Sequence, residues 1–137
     1  MKQLDPSFIP HSVEAAVREL FSLLEPTDIA NIKRMRPVEV HMGMGMYLRN
    51  NWQMWDTETM LNRDFQKRYN LFGHGDDVSG IILHCLWKEA RGEPWGDQEV
   101  AEKYRKHWKK YGLNPETGEK IPGFRMPSTM PFDADED

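Results

Sequence analysis

Two short stretches hold the residues whose types and spacing suit chemistry. "GHGDDVSG", Gly73 to Gly80, places His74, Asp76, Asp77 and Ser79 side by side between glycines and an apolar run. Imidazole and carboxylate transfer protons and ligate divalent metals, so this spacing admits an acid–base or metal cluster. It admits a plainer role as well. Asp76 caps a helix, Asp77 favours its dipole, Gly73 and Gly75 make the turn, and Ser79 bonds locally. Capping is the simpler reading, because it accounts for both aspartates without a further partner. "RNNW", Arg49 to Trp52, is the second stretch. The planar fork of Arg49 suits a phosphate or a carboxylate, and Asn50 and Asn51 offer amides to a base or a peptide backbone. The structural alternative is an ion pair from Arg49 to Asp76 or Asp77 that ties two helices. Both readings bring Arg49 to the 74–79 loop. The candidate ligand-binding set is therefore Arg49, Asn50, Asn51, Trp52, His74, Asp76, Asp77 and Ser79.

Other reactive types are scattered. His11, His41, His84 and His107 are isolated in sequence and read as packed or surface histidines. Cys85 falls on an apolar stripe, with nothing nearby to lower its pKa. The methionines at 35, 42, 44, 46, 54 and 60 read as core fillers before they read as a binding surface. "EKYRKHWKK" interleaves basic and aromatic residues as single-stranded nucleic-acid binders do, yet its spacing fits an amphipathic helix with Tyr104, Trp108 and Tyr111 inward. No Walker A loop, His-Glu-x-x-His, Gly-x-Ser-x-Gly or EF-hand loop occurs. "GMGMYLRN" lacks the third glycine and the βαβ setting of a dinucleotide site. No catalytic residue, metal ligand or cofactor is assigned.

The elements that must position these residues are helical. After the Pro6 and Pro10 segment, Ser12 is a good N-cap, and Val13, Ala16, Val17, Leu20, Phe21 and Leu24 share one helical face. Pro26 stops that helix. Thr27 caps a short second one, which Pro37 ends. "VEVHMGMGMYLRNNWQMW" fits a strand period through Val40, Met42, Met44 and Met46. It also fits a helix from about His41 to Gln53, which we favour, with strand over 38–47 left open. Asp56 or Thr57 caps a fourth helix with Leu61, Phe65 and Arg68 or Tyr69 on one face. Asp76 opens a central helix over 77–91, where Val78, Ile81, Ile82, Cys85 and Leu86 form the stripe and Leu83 and Trp87 widen it. Gly92 and Pro94 end it. Asp97 caps the last helix, closed by Gly112. The helices carrying Val17, Leu20, Trp52, Phe65 and Trp108 are expected to surround the central one.

From Leu113 the periodicity stops and prolines accumulate, which predicts an extended or disordered tail with Phe124, Met126, Met130 and Phe132 as docking points. This segment carries the whole net charge of −4, leaving residues 1–112 neutral. A neutral body and an acidic tail argue against nucleic acid as a partner. The chain has 137 residues, one cysteine and five tryptophans, enough for one aromatic core without disulfides. No apolar run suits a signal peptide or a membrane span, so a cytoplasmic location and no membrane contact are expected.

One core resembles a family of small bacterial and phage proteins of unknown function. The matching positions are Gly43, Gly45, Leu48, Arg49, Asn50, Trp52, Trp55, His74, Asp76, Asp77, Val78, Ser79, Ile81 and Ile82, within about residues 38–111. Gly75 stands where the family has proline between His and Asp, and residues 1–37 and the tail lie outside the likeness. The resemblance implies a small helical domain and a phage setting, with no activity attached.

The expectation is a mainly α, compact single-domain bundle of about five or six helices over residues 1–112, with a flexible acidic C-terminal tail over 113–137. Its expected role is a non-enzymatic binding or interaction protein, an accessory or host-interaction factor of a phage, with a protein partner. The alternative is a protein or enzyme that binds a small anionic ligand, a nucleotide or phosphoryl compound, through Arg49, His74, Asp76 and Asp77.

Overall fold

The computed structural model describes residues 1–5 and 7–125. Six helices follow one another: α1 (Val13–Leu23), α2 (Pro26–Arg34), α3 (Pro37–Asn51), α4 (Met60–Tyr69), α5 (Gly75–Ala90) and α6 (Asp97–Lys110). Among the described residues the β pairing amounts to one isolated bridge, Leu113 to Lys120. Met126, Met130 and Phe132 lie outside the described residues.

The helix α5 sits at the centre, as its wide apolar stripe predicts. Val78, Ile81, Ile82, Leu83, Cys85 and Leu86 are each no more than 1% exposed. A helix apolar on nearly every side must be covered from every side, and α1, α2, α3 and α6 cover it. Each fully buried aliphatic side chain contributes about 1.5–3 kcal/mol. The backbone of α4 runs closest to α1. Its Leu61, Phe65 and Tyr69 still reach the common core.

Helix boundaries differ from the expectation at the caps, for local reasons. Pro26 and Pro37 follow the ends of α1 and α2 as expected, and each also opens the next helix. Each stands at the first helical position, where the missing N–H is not needed and the fixed φ is already helical. Glu25, not Thr27, is therefore the N-cap of α2, and the Asp28 carboxylate accepts its backbone N–H at 2.9 Å. Glu39 does the same for Arg36 at the start of α3, also at 2.9 Å. The 38–47 segment is helix, so the strand alternative fails. Gly45 shows why: a Cβ there would lie 2.7 Å from an Arg49 guanidinium nitrogen and 2.9 Å from the His41 ring. The glycine lets two polar side chains lie across one helix. Ser12 caps α1 as expected, accepting from Ala15 N–H at 3.0 Å. Thr59, not Asp56 or Thr57, caps α4. Gly96 takes the cap position of α6 and leaves Asp97 inside it, where Asp97 Oδ2 accepts from the Tyr69 hydroxyl at 2.7 Å and from Arg68 at 3.0 Å. This joins α4 to α6.

The methionines divide. Met54 is buried and Met35 and Met44 pack on the core, but Met42, Met46 and Met60 are exposed, against the expectation of core filling. The segment after α6 has a local fold where an extended tail was expected. Asn114 N–H donates to Glu119 O at 2.8 Å, Phe72 N–H donates to Pro115 O at 3.0 Å, and Pro115 is buried.

One polar residue inside the core fixes the loops on both sides of α4. Asn62 is fully buried. Its amide donates to Met54 O at 2.9 Å and to Gly73 O at 3.0 Å, and its Oδ1 accepts from Gln66 at 2.9 Å. Removing it strands two carbonyls. Asn62→Ala is expected to lose about 2–4 kcal/mol in urea unfolding, against about 1 kcal/mol for the exposed-end cap variant Ser12→Ala. Equal losses for the two would show that Asn62 is no stronger a tie than an ordinary cap.

Candidate functional site

The start of α5 answers the choice between cap and cluster in an unexpected way. The N-cap is His74, not Asp76: its Nδ1 accepts from Asp76 N–H at 3.2 Å, and its carbonyl accepts from Val78 N–H at 3.0 Å. The imidazole is held among rings, with centroids 5.2 Å from Trp55 and 5.1 Å from Trp108. With the cap taken by histidine, both aspartates lie inside the first turn, their carboxylates favoured by the helix dipole and free to point elsewhere.

Asp76 points to Arg49, whose Nε stands 3.4 Å from Asp76 Oδ1. The expected contact between "RNNW" and the 74–79 loop therefore exists. Arg49 Nη1 also donates to the buried Ser79 hydroxyl at 3.0 Å. Ser79 has one hydroxyl hydrogen, which goes to Asp76 O at 3.1 Å. The same hydroxyl lies 3.2 Å from His41 Nε2, and Arg49 Nη1 lies 3.5 Å from that nitrogen. Burial, with the Arg49 charge beside it, holds His41 below the ordinary histidine range and neutral at pH 7.

The rest of "RNNW" does not join this network. Asn50 is exposed. Asn51 donates back to Tyr47 O in its own helix at 2.8 Å. Trp52 is buried with its indole N–H unpartnered.

Between α3, α5 and α6 lies a cavity of about 320 Å³. From α3 come Pro37, Val38 and His41; from α5, Asp76, Asp77, Gly80 and His84; from α6, Val100, Lys103, Tyr104 and His107. Sequence reasoning missed this convergence because it treated the histidines one at a time. The signal lay in the spacing: Asp77, Gly80 and His84 are three and four apart, as are Val100, Tyr104 and His107, so each set shares a helix face. Gly80 makes the room. A Cβ there would collide with the Tyr104 hydroxyl. Of the candidate residues, Asp76 and Asp77 line the cavity, while Arg49, Ser79 and His74 stand behind it. Among the described residues no three His, Cys, Asp or Glu side chains are grouped to hold a metal ion.

The electrostatics of the lining follow from burial. Asp77 is 7% exposed, and its Oδ2 accepts from Trp108 Nε1 at 2.8 Å. Burial pushes its pKa up, against the pull of that hydrogen bond and of His74 and His107. His84 Nε2 donates to Trp95 O at 2.8 Å, so its Nδ1 is an acceptor. Burial holds His84 below the ordinary range and outweighs that hydrogen bond. The Tyr104 hydroxyl is pushed up by burial, with the Asp77 charge adding to the effect. Cys85 is buried and its thiol is pushed up, which makes it inert.

Two pH effects follow. A carboxylate with a raised folded pKa disfavours the folded state once ionised, and the penalty fades as pH falls through that pKa. Asp77→Asn, which keeps an acceptor for Trp108, is expected to melt higher than wild type at pH 7, with the gap closing towards the unfolded value of 3.8. Denaturation followed from pH 7 to 4 checks this, and a gap that widens in acid would contradict it. A histidine held neutral has the opposite consequence: stability is present above the unfolded pKa of 6.5 and falls below it, where the unfolded chain takes up the proton first. The loss between pH 7.5 and 5.5 is expected to shrink in His84→Gln, which can still donate to Trp95 O; an unchanged loss would remove His84 from the account.

Comparison with known proteins adds one relationship. Residues 9–90 match a family described as a domain of unknown function, DUF6794. The match takes in α1 and α2, which the sequence likeness had left outside, and ends with α5, so the α6 wall of the cavity lies beyond it. No curated protein and no solved structure matches the chain. The match spans more than half of the sequence, and the chain belongs to the DUF6794 family.

Proposed function

We propose that this protein is a non-enzymatic binding protein whose site for a small molecule is the cavity between α3, α5 and α6. One observation carries the reading: polar groups from three helices converge on a space of about 320 Å³ with apolar walls at Pro37, Val38 and Val100. That combination of size, partial apolarity and a few placed polar groups is what ligand sites have in common. Binding is favoured over catalysis because the nucleophile types nearby are engaged or inert. Ser79 Oγ is saturated by Arg49, His41 and Asp76, and Cys85 is buried with a raised pKa. The alternative of a phosphoryl site gripped by Arg49 has less support, since that guanidinium is engaged by Asp76 and Ser79 and is absent from the lining.

The test is a small-molecule fragment screen followed by backbone-amide NMR. Hits are expected to shift residues of all three walls, and to raise stability by about 2.7 kcal/mol at a hundredfold excess over Kd. Val100→Trp, which narrows the cavity, should abolish those shifts. Hits that map elsewhere and survive Val100→Trp would sink the proposal.

A second reading, docking to a protein partner such as a phage factor meets in its host, has one observation in its favour. Met42 and Met46 are 80% and 68% exposed and lie one turn apart on α3, with open space over Gly43 between them. A bacterial protein retained by the wild type and lost by a Met42→Glu, Met46→Glu variant would support it. An identical retained set would count against it.

A further inference from the structure

The cavity lining has an unbalanced hydrogen-bond inventory. Asp77 is a buried carboxylate with no Lys, Arg or His within ion-pair distance among the described residues. Trp108 satisfies Oδ2, and Oδ1 accepts nothing from any described group. Burying a carboxylate with one neutral donor is costly, and such charges ordinarily acquire a cation. The fixed cation at the first turn of α5, Arg49, is committed to the neighbouring Asp76. An inward histidine adds to the imbalance. His84 donates through Nε2 to Trp95 O, so it keeps Nδ1 as an unprotonated acceptor. The Tyr104 hydroxyl, which has no hydrogen bond to any described group, can take either role. Lys103, the one fixed cation in the lining, is exposed at the α6 side.

We infer that the molecule this cavity takes is a small organic ammonium, with its charged N–H groups on Asp77 Oδ1 and the His84 Nδ1 acceptor and its apolar body against Pro37, Val38 and Val100. An ammonium brings three donors and one positive charge, which are what the lining lacks. An anion would face Asp76 and Asp77 with only Lys103 to meet it. This inference rests on the cavity being a ligand site, and deepens that reading by naming the chemical class.

Three probes of one shape separate the two ideas: phenethylammonium, 2-phenylethanol and 3-phenylpropionate, titrated into the full-length protein at pH 7.5 and followed by amide NMR. The ammonium is expected to bind at least about tenfold more tightly than the alcohol, the difference a hydrogen bond to a charged group makes, and the carboxylate to bind weakest. In Asp77→Asn the preference of ammonium over alcohol should fall to about onefold while the alcohol itself still binds. Equal binding of all three in the wild type, or tighter binding of the carboxylate, overturns the ammonium assignment and leaves the cavity standing as a ligand site. So does an ammonium preference that survives Asp77→Asn. If none of the three shifts the cavity walls, the ligand site itself is refuted, and the assignment of its ligand with it. The wild-type comparison decides the matter even if Asp77→Asn fails to fold.

Discussion

The structure depends on where and how α5 begins. A helix leaves its first N–H groups without partners of its own, and at α5 neighbouring side chains and solvent share that task. His74 supplies the cap, and Asn62 holds the preceding carbonyl of Gly73. The same amide holds Met54 O, on the turn that leads to Trp55, and Trp55 packs edge-on against His74. The loops before and after α4 are thereby fixed relative to one another and to α5. Everything polar at the site follows from that placement. With histidine as the cap, Asp76 is left to pair with Arg49, and Asp77 to turn towards Trp108 and the space beside α6.

Much of the fold was legible because it is written in periodicity. The stripes of α1 and α5 named the buried faces, and Val78, Ile81, Ile82, Cys85 and Leu86 are where the spacing puts them, whereas Tyr111, expected inward at the end of α6, is exposed. The errors gather at helix ends. There a single residue type serves two purposes: proline both stops a helix and starts one, and aspartate both caps and pairs. Residue type alone does not choose between them, because the choice is made by a partner, three residues on for Arg36 with Glu39 and far along the chain for Asp97 with Tyr69. The 38–47 segment was ambiguous for a related reason. Gly45 weakens a helix on propensity alone, yet the close approach of His41 and Arg49 requires it.

The site was half legible. The link between Arg49 and Asp76 could be anticipated, since an arginine inside an otherwise apolar helix must find an acceptor. The cavity could not, because it is a property of three helix faces and belongs to none of them alone. His41, His84 and His107 are more than twenty residues apart from one another, and each is unremarkable in its own helix. Only the packing of α3 and α6 on the same side of α5 makes them neighbours. Small residues on that side, Gly80 above all, keep the helices from closing the gap by bringing Tyr104 in as a wall and not as a plug.

The helix α6 is held by few buried side chains. Of its residues Ala101 alone is buried outright, while Val100, Tyr104 and Trp108 are covered in part. Its attachments are polar and peripheral: Trp108 to Asp77, Asp97 to Tyr69 and Arg68, and Arg105 to Tyr69 O. A wall secured in this way parts from the body at little cost in buried apolar surface. Were the cavity to take a ligand, its occupancy and the attachment of α6 would be one equilibrium seen from two sides. Whatever fills the space clamps the helix, and whatever loosens the helix opens a door for exchange.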